Sequence, residues 1–400
     1  MALQKGHVPD IVKPEAQSQV ERMAKISNAG SIFLGNSAIP QEKIAFFTSL
    51  FQSQSGDNYC VFQLASTKNA ADARLGLCVA RRGSFRWDRL PTVLAPPWNG
   101  HPGSLCIGTL AESKPGQLTL YATWYDRSDP ARPLFDPDTE GILHSLLLAT
   151  DSTDDGQHWG PWRKISTGPL TGCALTGPSL RWPDGSTAMP LESFKHYDEP
   201  DEKFHAAWVH LIDKGAMPNA KTLHQIAGDP TGNISYWDQR LTPLESPGEY
   251  LALFWTHDRP GQQDLDVHFQ IGNAREPDLS SPQSTGISGQ IAAPLALSPT
   301  HFLALVVDRN GPDPSIVLHQ STDRGESWDA TKPLIIYRHR EEAQVTQGAE
   351  NIDYAGYWED MGKWSFGHPA LLAVDQNTVL AAYYAGTPEH MGIHYANIEF

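Results

Sequence analysis

One eight-residue pattern, Ser-x-Asp-x-Gly-x-x-Trp, occurs twice in the chain. Its first copy carries Ser152, Asp154, Gly156 and Trp159; its second carries Ser321, Asp323, Gly325 and Trp328. Each copy follows an apolar run that reads as a strand, over 143–149 and 315–319. The residue types describe a tight turn. Ser and Asp side chains bond the turn backbone, Gly takes a positive φ, and Trp folds back as an apolar clamp. A turn built twice implies a unit built at least twice, so the chain reads first as a repeat architecture.

Composition supports an all-β reading. The 400 residues include 33 Gly, 31 Pro and 12 Trp, and only 19% are charged, which suits a turn-rich globular β protein rather than a disordered one. Closed β architectures often run long as one domain, so 29–400 is read as a single domain behind a 1–28 extension, with a helix expected over 15–24. The net charge of −16 argues against a nucleic-acid partner and against an anionic membrane surface. Cys60, Cys78, Cys106 and Cys173 each sit in an apolar stretch without a Cys-x-x-Cys pair, and read as buried thiols. No basic segment followed by an apolar core opens the chain, and no run approaches the length of a membrane span. A soluble, cytoplasmic protein is expected.

Strand-length apolar runs recur between Gly, Pro and Asp punctuation. A start such as Gly100-His101-Pro102, Gly177-Pro178, Ala293-Pro294 or Gly367-His368-Pro369 opens a first strand. A longer second strand follows, over 117–125, 187–194, 301–307 and 378–384, with 250–256 resembling these. A third strand leads to the Asp-rich turn, and a fourth leaves it. Four meandering strands make a propeller blade. Six units emerge, at 44–90, 100–165, 172–240, 245–280, 289–340 and 365–400; the irregular first and fourth leave seven open. The last unit stops at its third strand, so 29–34 is expected to supply the fourth and close the ring. The stretch 338–367 is long for a connection, and such loops are usually functional or disordered.

Blade geometry places the starts of first strands and the ends of second strands on one face, opposite the Asp-rich turns. Asp154 and Asp323 are therefore expected to be structural. The second-strand ends give three Asp-Arg pairs: Asp126-Arg127, Asp258-Arg259 beside His257, and Asp308-Arg309. Each reads either as a carboxylate acid with a substrate-binding guanidinium or as a local salt bridge. His101 and His368 read as channel-rim acid–base groups or as histidines bonded to a neighbouring blade. Two His alone are weak evidence for a metal, and neither a metal nor a cofactor is expected. Glu192 lies within a strand and needs a partner there. Tyr354, Tyr357 and Trp358, beside carboxylates in one loop, suit stacking on sugar rings or packing of the loop on itself.

On these residues the chain resembles the sialidase superfamily of six-bladed propellers, whose repeat turn is called the Asp box or BNR repeat. The segment 177–190 resembles that family's third blade, and Gly367 to Tyr383 and Tyr384 its last. The resemblance covers most of 40–400. It implies a glycosidase fold and a carbohydrate or other small polar substrate, with Tyr383 among the substrate-side residues. Two departures stand out. Residues 29–34 lack the arginine that opens true sialidases, and His368 occupies the place of their nucleophilic tyrosine. The first reading is a glycoside hydrolase for a terminal sugar, an acidic one included. Asp126, Asp258 or Glu192 would be the acid; Arg127, Arg259 and Arg309 would bind an anionic group; His368 or Tyr354 would assist. A uronate-type lyase using His101 or His368 with a Tyr, and a non-catalytic carbohydrate-binding propeller, are the alternatives.

Overall fold

Each apolar run becomes a strand because it can bury both of its faces. Glu249–Asp258 shows how: Tyr250, Ala252 and Phe254 enter one core cluster, while Leu251 and Leu253 enter the next. That alternation is the two-residue period of an extended chain. Fully burying such side chains stabilises by roughly 1.5–3 kcal/mol each, before chain entropy is counted. The computed structural model describes residues 24–400, apart from 137, 200–204, 217, 278, 310–312, 329–331 and 341–363. Nearly all of the helix expected over 15–24, and Tyr354, Tyr357 and Trp358, lie outside the described residues. Among the described residues the fold is nearly all β, with two short 3-10 turns at Pro40–Glu42 and Ala220–Thr222.

The strands fall into antiparallel arrays in chain order. Array one is Ile44–Gln52, Asn58–Ala65, Arg74–Ala80 and Trp87–Arg89. Array two is Gly103–Lys114, Gln117–Asp126, Ser145–Ser152 and Arg163–Ile165. Array three is Gly172–Leu175, Thr187–Phe194, Ala206–Ile212 and Leu223–Gly228, with Leu180–Arg181 also paired to its second strand. Array four is Ile234–Pro243, Glu249–Asp258, His268–Asn273 and Gln283–Ser284, with Gln263–Asp264 beside its second strand. Array five is Ala292–Ala296, Phe302–Asp308, Ser315–Ser321 and Leu334–Arg338. Array six is Phe366–Ala373, Thr378–Thr387 and His390–Glu399, completed by Lys25–Phe33.

The first strands carry the packing between arrays. Ile44–Gln52 packs against both Gly103–Lys114 and Phe366–Ala373, and Gly172–Leu175 packs against Gly103–Lys114. Ile234–Pro243 packs against Thr187–Phe194 and Ala292–Ala296, and Ala292–Ala296 against Phe366–Ala373. The series runs in chain order and returns to its start. One boundary differs from the sequence reading. The run Ile234–Pro243, assigned there to the end of unit three, is the first strand of array four. Buried Gln239 and Arg240 interrupt its apolar pattern and hide it.

Both Asp-rich turns form, each between the third and fourth strands of its array. In each copy the Ser hydroxyl donates to the Asp carboxylate over 2.8 Å. The same hydroxyl accepts the Gly amide, at 3.0 Å in the first copy and 2.8 Å in the second. The Asp in turn accepts the amide four residues on, over 2.9 Å in both. Gly156 (φ 84°) and Gly325 (φ 91°) occupy the left-handed region the turn demands.

Lys25–Phe33 pairs antiparallel with His390–Glu399, starting earlier than the expected 29. Beyond it, the first strand of array one meets array six at a single parallel pair, Ile44 with Met391. Removing residues 1–33 leaves the His390–Glu399 edge unpaired and uncovers the apolar surface under Ile32. The truncated chain is expected to melt roughly 10 °C lower or more, since each kcal/mol lost moves a domain this large by about 2–4 °C. Differential scanning calorimetry checks this; an unchanged transition would show that the strand is dispensable.

Candidate functional site

A cavity of about 80 Å³ opens beside the first strands of arrays one, four and six. Its wall is largely aromatic, with Phe46, Phe47, Tyr125, Phe135, Trp237, Trp255 and Trp364. Lys68, Glu192, Asp238, His368 and Tyr384 bring polar atoms to it.

Local backbone irregularity aims three of these side chains. The ladder slips between Phe46 and Ser49 in array one, between Trp237 and Arg240 in array four, and between Gly367 and Ala370 in array six. Within those slips Phe47 (φ 56°), Asp238 (φ 45°) and His368 (φ 43°) are left-handed. A non-glycine residue there costs on the order of 1–3 kcal/mol. A bulge inserts an extra residue and re-aims its side chain. Here three bulged strands turn a hydrophobe, an acid and a base toward one space.

The polar groups form one connected cluster. Arg240, barely exposed, donates from Nη2 to Asp238 Oδ1 at 3.0 Å and to His368 Nδ1 at 2.6 Å. His368 Nε2 lies 3.3 Å from Asp238 Oδ2. The His368 ring stands edge-on to Phe47 at 4.1 Å, and its carbonyl accepts the Thr48 hydroxyl. Glu192 Oε2 accepts from His205 Nε2 at 2.8 Å and from the Asp238 amide at 3.0 Å. Lys68 donates to the Trp364 carbonyl and to the Tyr384 hydroxyl.

Burial pushes the Asp238 carboxyl up to about 7; the Glu192 charge adds to the rise, while Arg240 opposes it. His368 is held well below the usual histidine range by burial first, and then by Arg240, Arg309 and Lys68. Lys68 is likewise held well below the usual lysine range by burial and by Arg309. An acid that titrates near neutrality beside a second carboxylate is what proton-transfer chemistry needs.

Of the residues singled out in the sequence, Glu192 and His368 line this cavity. The three guanidiniums do not converge on it. Arg127 bonds Ser104 Oγ at 2.8 Å and the Asn69 carbonyl at 3.0 Å. Arg309 bonds Gln290 at 2.6 Å and the Phe366 carbonyl at 2.5 Å, and lies 4.1 Å over the Trp364 ring. Arg259 pairs with Glu140 at 2.9 Å. Asp126 caps its own turn by accepting the Ser128 amide at 2.8 Å. Burial would raise its carboxyl, but the Ser128 hydrogen bonds and the nearby His101 and His144 outweigh that and hold it low. His101 is exposed and bonded to Ser128 Oγ at 2.7 Å. Asp258 accepts the Gly261 amide at 3.1 Å, and Asp308 sits at a strand end opposite Ser315.

His257 supports the wall from behind, stacked on Trp237 at 4.8 Å and bonded to Asp264 at 3.1 Å. Tyr383 packs against Tyr337 and His394 in the core between arrays, while its neighbour Tyr384 faces the cavity. Among the described residues no group of three or more metal-ligating side chains occurs. Lys68, Asp238, Arg240 and Tyr384 escaped the sequence reading. Asp238 and Arg240 carried a usable signal: two charges two positions apart inside an apolar strand must be paired, the argument that had marked Glu192.

No protein-family model matches the chain, and no curated protein does. Solved structures do. A protein of unknown function from Dyadobacter fermentans is 15% identical with a TM-score of 0.64, over 94% of this chain and 99% of that one. The Hadza microbial sialidase Hz136 is 14% identical with a TM-score of 0.64, over 93% of this chain and 68% of that one. An α-L-arabinanase from Penicillium chrysogenum, complexed with arabinobiose, is 12% identical with a TM-score of 0.59, over 94% and 99%. At such identities the likeness shows the fold alone, one this chain shares with a sialidase and an arabinanase.

Asp238 yields a stability prediction. Its folded value of about 7 lies above the ordinary carboxylate value of 3.8, so the folded state binds the proton more tightly. Its contribution is then fully present below pH 4 and is lost as pH rises toward 7. Asp238→Asn removes that dependence. The variant is expected to gain thermal stability over the parent as pH goes from 5 to 8, read by melting temperature at each pH. A constant difference across that range would contradict the buried acid.

Proposed function

We propose that the arrays are the blades of a six-bladed sialidase-like propeller and that the chain is a glycoside hydrolase acting on a terminal sugar. Asp238 serves as the proton donor and Glu192 as the partner carboxylate. The observation that carries this reading is the pair itself: two carboxyl groups joined through the Asp238 amide, at the aromatic wall of one cavity, one of them titrating near 7. Glycosidic cleavage uses such a pair, one carboxylic acid protonating the leaving oxygen and one carboxylate serving as nucleophile or base. Trp and Tyr rings beside them suit the apolar faces of a sugar. The sialidase and arabinanase among the structural neighbours act on sugars, in agreement with this reading.

The placement of the arginines favours a neutral sugar over an acidic one. Arg127, Arg259 and Arg309 are each occupied by Ser104, Asn69, Glu140, Gln290 or Phe366 rather than presented to the cavity. A lyase would need His368 free to take a proton, and both of its ring nitrogens face protein partners.

A panel of 4-nitrophenyl glycosides, with arabinosides, hexosides and sialosides together, tests the proposal. Turnover of a neutral glycoside is expected. Asp238→Asn and Glu192→Gln should each lower kcat by roughly 10²–10⁴-fold. The rate should fall as pH rises through about 7, because Asp238 must hold its proton to act as acid. Sugar binding with no turnover would favour a non-catalytic propeller, and an unsaturated, ultraviolet-absorbing product from a uronate polymer would favour a lyase.

A further inference from the structure

The hydrogen-bond chemistry around Arg240 constrains where protons sit in the cluster. A guanidinium can only donate. Its Nη2 is 2.6 Å from His368 Nδ1, so that nitrogen must present a lone pair. The imidazole proton is then on Nε2, which faces Asp238 Oδ2 at 3.3 Å. Through the same Nη2, Arg240 also donates to Asp238 Oδ1, and its Nη1 donates to the Pro369 carbonyl at 3.2 Å. One side chain thus grips an acid on its own strand and a histidine with its following residue on another array. The grip reaches both left-handed positions, Asp238 and His368, at once. Arg240 also lines a separate cavity of about 320 Å³ among the first strands of several arrays, with Leu50, Glu112 and Leu371. Arg240 therefore lies between that space and the Asp238 cavity.

We propose that Arg240 is a positioning residue: it locks His368 as the Nε2–H tautomer, so that His368 and Arg240 together hold the Asp238 carboxylate each time it has given its proton away. The step balances simply. Asp238 O–H transfers its proton to the glycosidic oxygen as that oxygen's bond to the anomeric carbon breaks. The leaving group departs as an alcohol, Glu192 or a water it activates bonds the anomeric carbon, and the Asp238 carboxylate keeps Arg240 on Oδ1 and His368 Nε2–H on Oδ2. His368 stays neutral throughout and neither gains nor loses a proton. Its place is that of a hydrogen-bond donor, not of a nucleophile. The charged and titratable groups that act on Asp238 or His368 are Arg240 on the same strand as Asp238, Glu192 from array three, Arg309 after the second strand of array five, and Lys68 after the second strand of array one. The assignment of Asp238 as acid rests on the glycosidase reading; the tautomer does not.

Two arms separate these claims. Histidine-selective ¹⁵N labelling of the full chain, with His368→Gln to identify the signal, reads the tautomer directly. A neutral Nε2–H form, unchanged from pH 5 to 8, is expected, and Arg240→Met should release it to titrate or to exchange tautomers. An Nδ1–H form in the parent protein would overturn the proposal whatever the enzyme does. The second arm uses the glycoside found to be turned over. Arg240→Met fills the side-chain volume but drops the charge, so the descending limb of the pH–rate profile should move up by about one unit. Arg240→Lys keeps the charge but lacks the fork. Its limb should stay in place while kcat falls roughly tenfold to hundredfold at near-constant KM. If both variants lose activity by the same factor with no movement of the limb, Arg240 is a structural plug and the proposal fails. Melting curves for both variants, and the parent tautomer itself, keep the test decisive if Arg240→Met does not fold.

Discussion

The burial of Asp238, Arg240 and Glu192 beside one another, each held by hydrogen bonds in place of water, is the constraint on which the site depends. Taking a carboxylate and a guanidinium out of water costs several kcal/mol each unless partners replace the solvent. Partners come from separate parts of the chain: His205 with array three, Arg240 within array four, and His368 within array six. No single array could satisfy the cluster. The charges are bearable only where first strands of different arrays meet, so the fold and the site require one another. The residual imbalance is visible in Asp238, whose proton is held to about 7 despite an arginine on its carboxylate.

The bulges follow from the same geometry. A regular strand alternates its side chains between two faces, and in this fold both faces are occupied by core packing. Asp238 and His368 can leave those faces only if the strand breaks register. Glu192 did not need a bulge, because it stands toward the end of a second strand, two residues before Phe194. Phe47, bulged in the same way in array one, contributes no charge; it presses its ring edge-on to His368 and fixes the plane in which Nε2 meets Asp238. Three left-handed non-glycine positions thus sit where function would need them; the Asp-rich turns carry their own, Asp155 and Arg324, directly before Gly156 and Gly325.

What could be read from sequence divides along this line. Strands, turns and the N-terminal strand that completes array six obey local rules: two-residue alternation, glycine where φ is positive, Ser and Asp where a backbone amide needs an acceptor. The Asp-rich turns are legible for that reason, and they set the phase of arrays two and five correctly. The histidine in Gly367-His368-Pro369 and the strand-borne Glu192 were legible because each breaks a local expectation. Ile234–Pro243 was not, since a bulge and two buried polar side chains erase its periodicity, and with the strand went Asp238 and Arg240. The Asp-Arg pairs misled for the opposite reason. A motif repeated at equivalent positions suggested convergence, whereas each arginine is taken up by partners of its own: Ser104 and Asn69, Glu140, or Gln290 and Phe366.

The departures from true sialidases acquire a common physical sense in this arrangement. Those enzymes, by resemblance, set an arginine cluster around an anionic substrate and a tyrosine beneath the sugar. Here buried Arg127 and Arg309 turn inward to backbone carbonyls, those of Asn69 in the loop after a second strand and of Phe366 at the start of a first strand. The tyrosine's place holds His368, whose nitrogens are both committed, so it has no electron pair to offer a sugar carbon. Under the glycosidase reading proposed above, the partner-carboxylate role goes to Glu192, the cavity-lining one whose amide donor comes from the bulge that carries Asp238. Any shift of that bulge moves both carboxyl groups together. Their separation, which decides between retention and inversion, is therefore set by backbone geometry at Asp238 rather than by side-chain freedom.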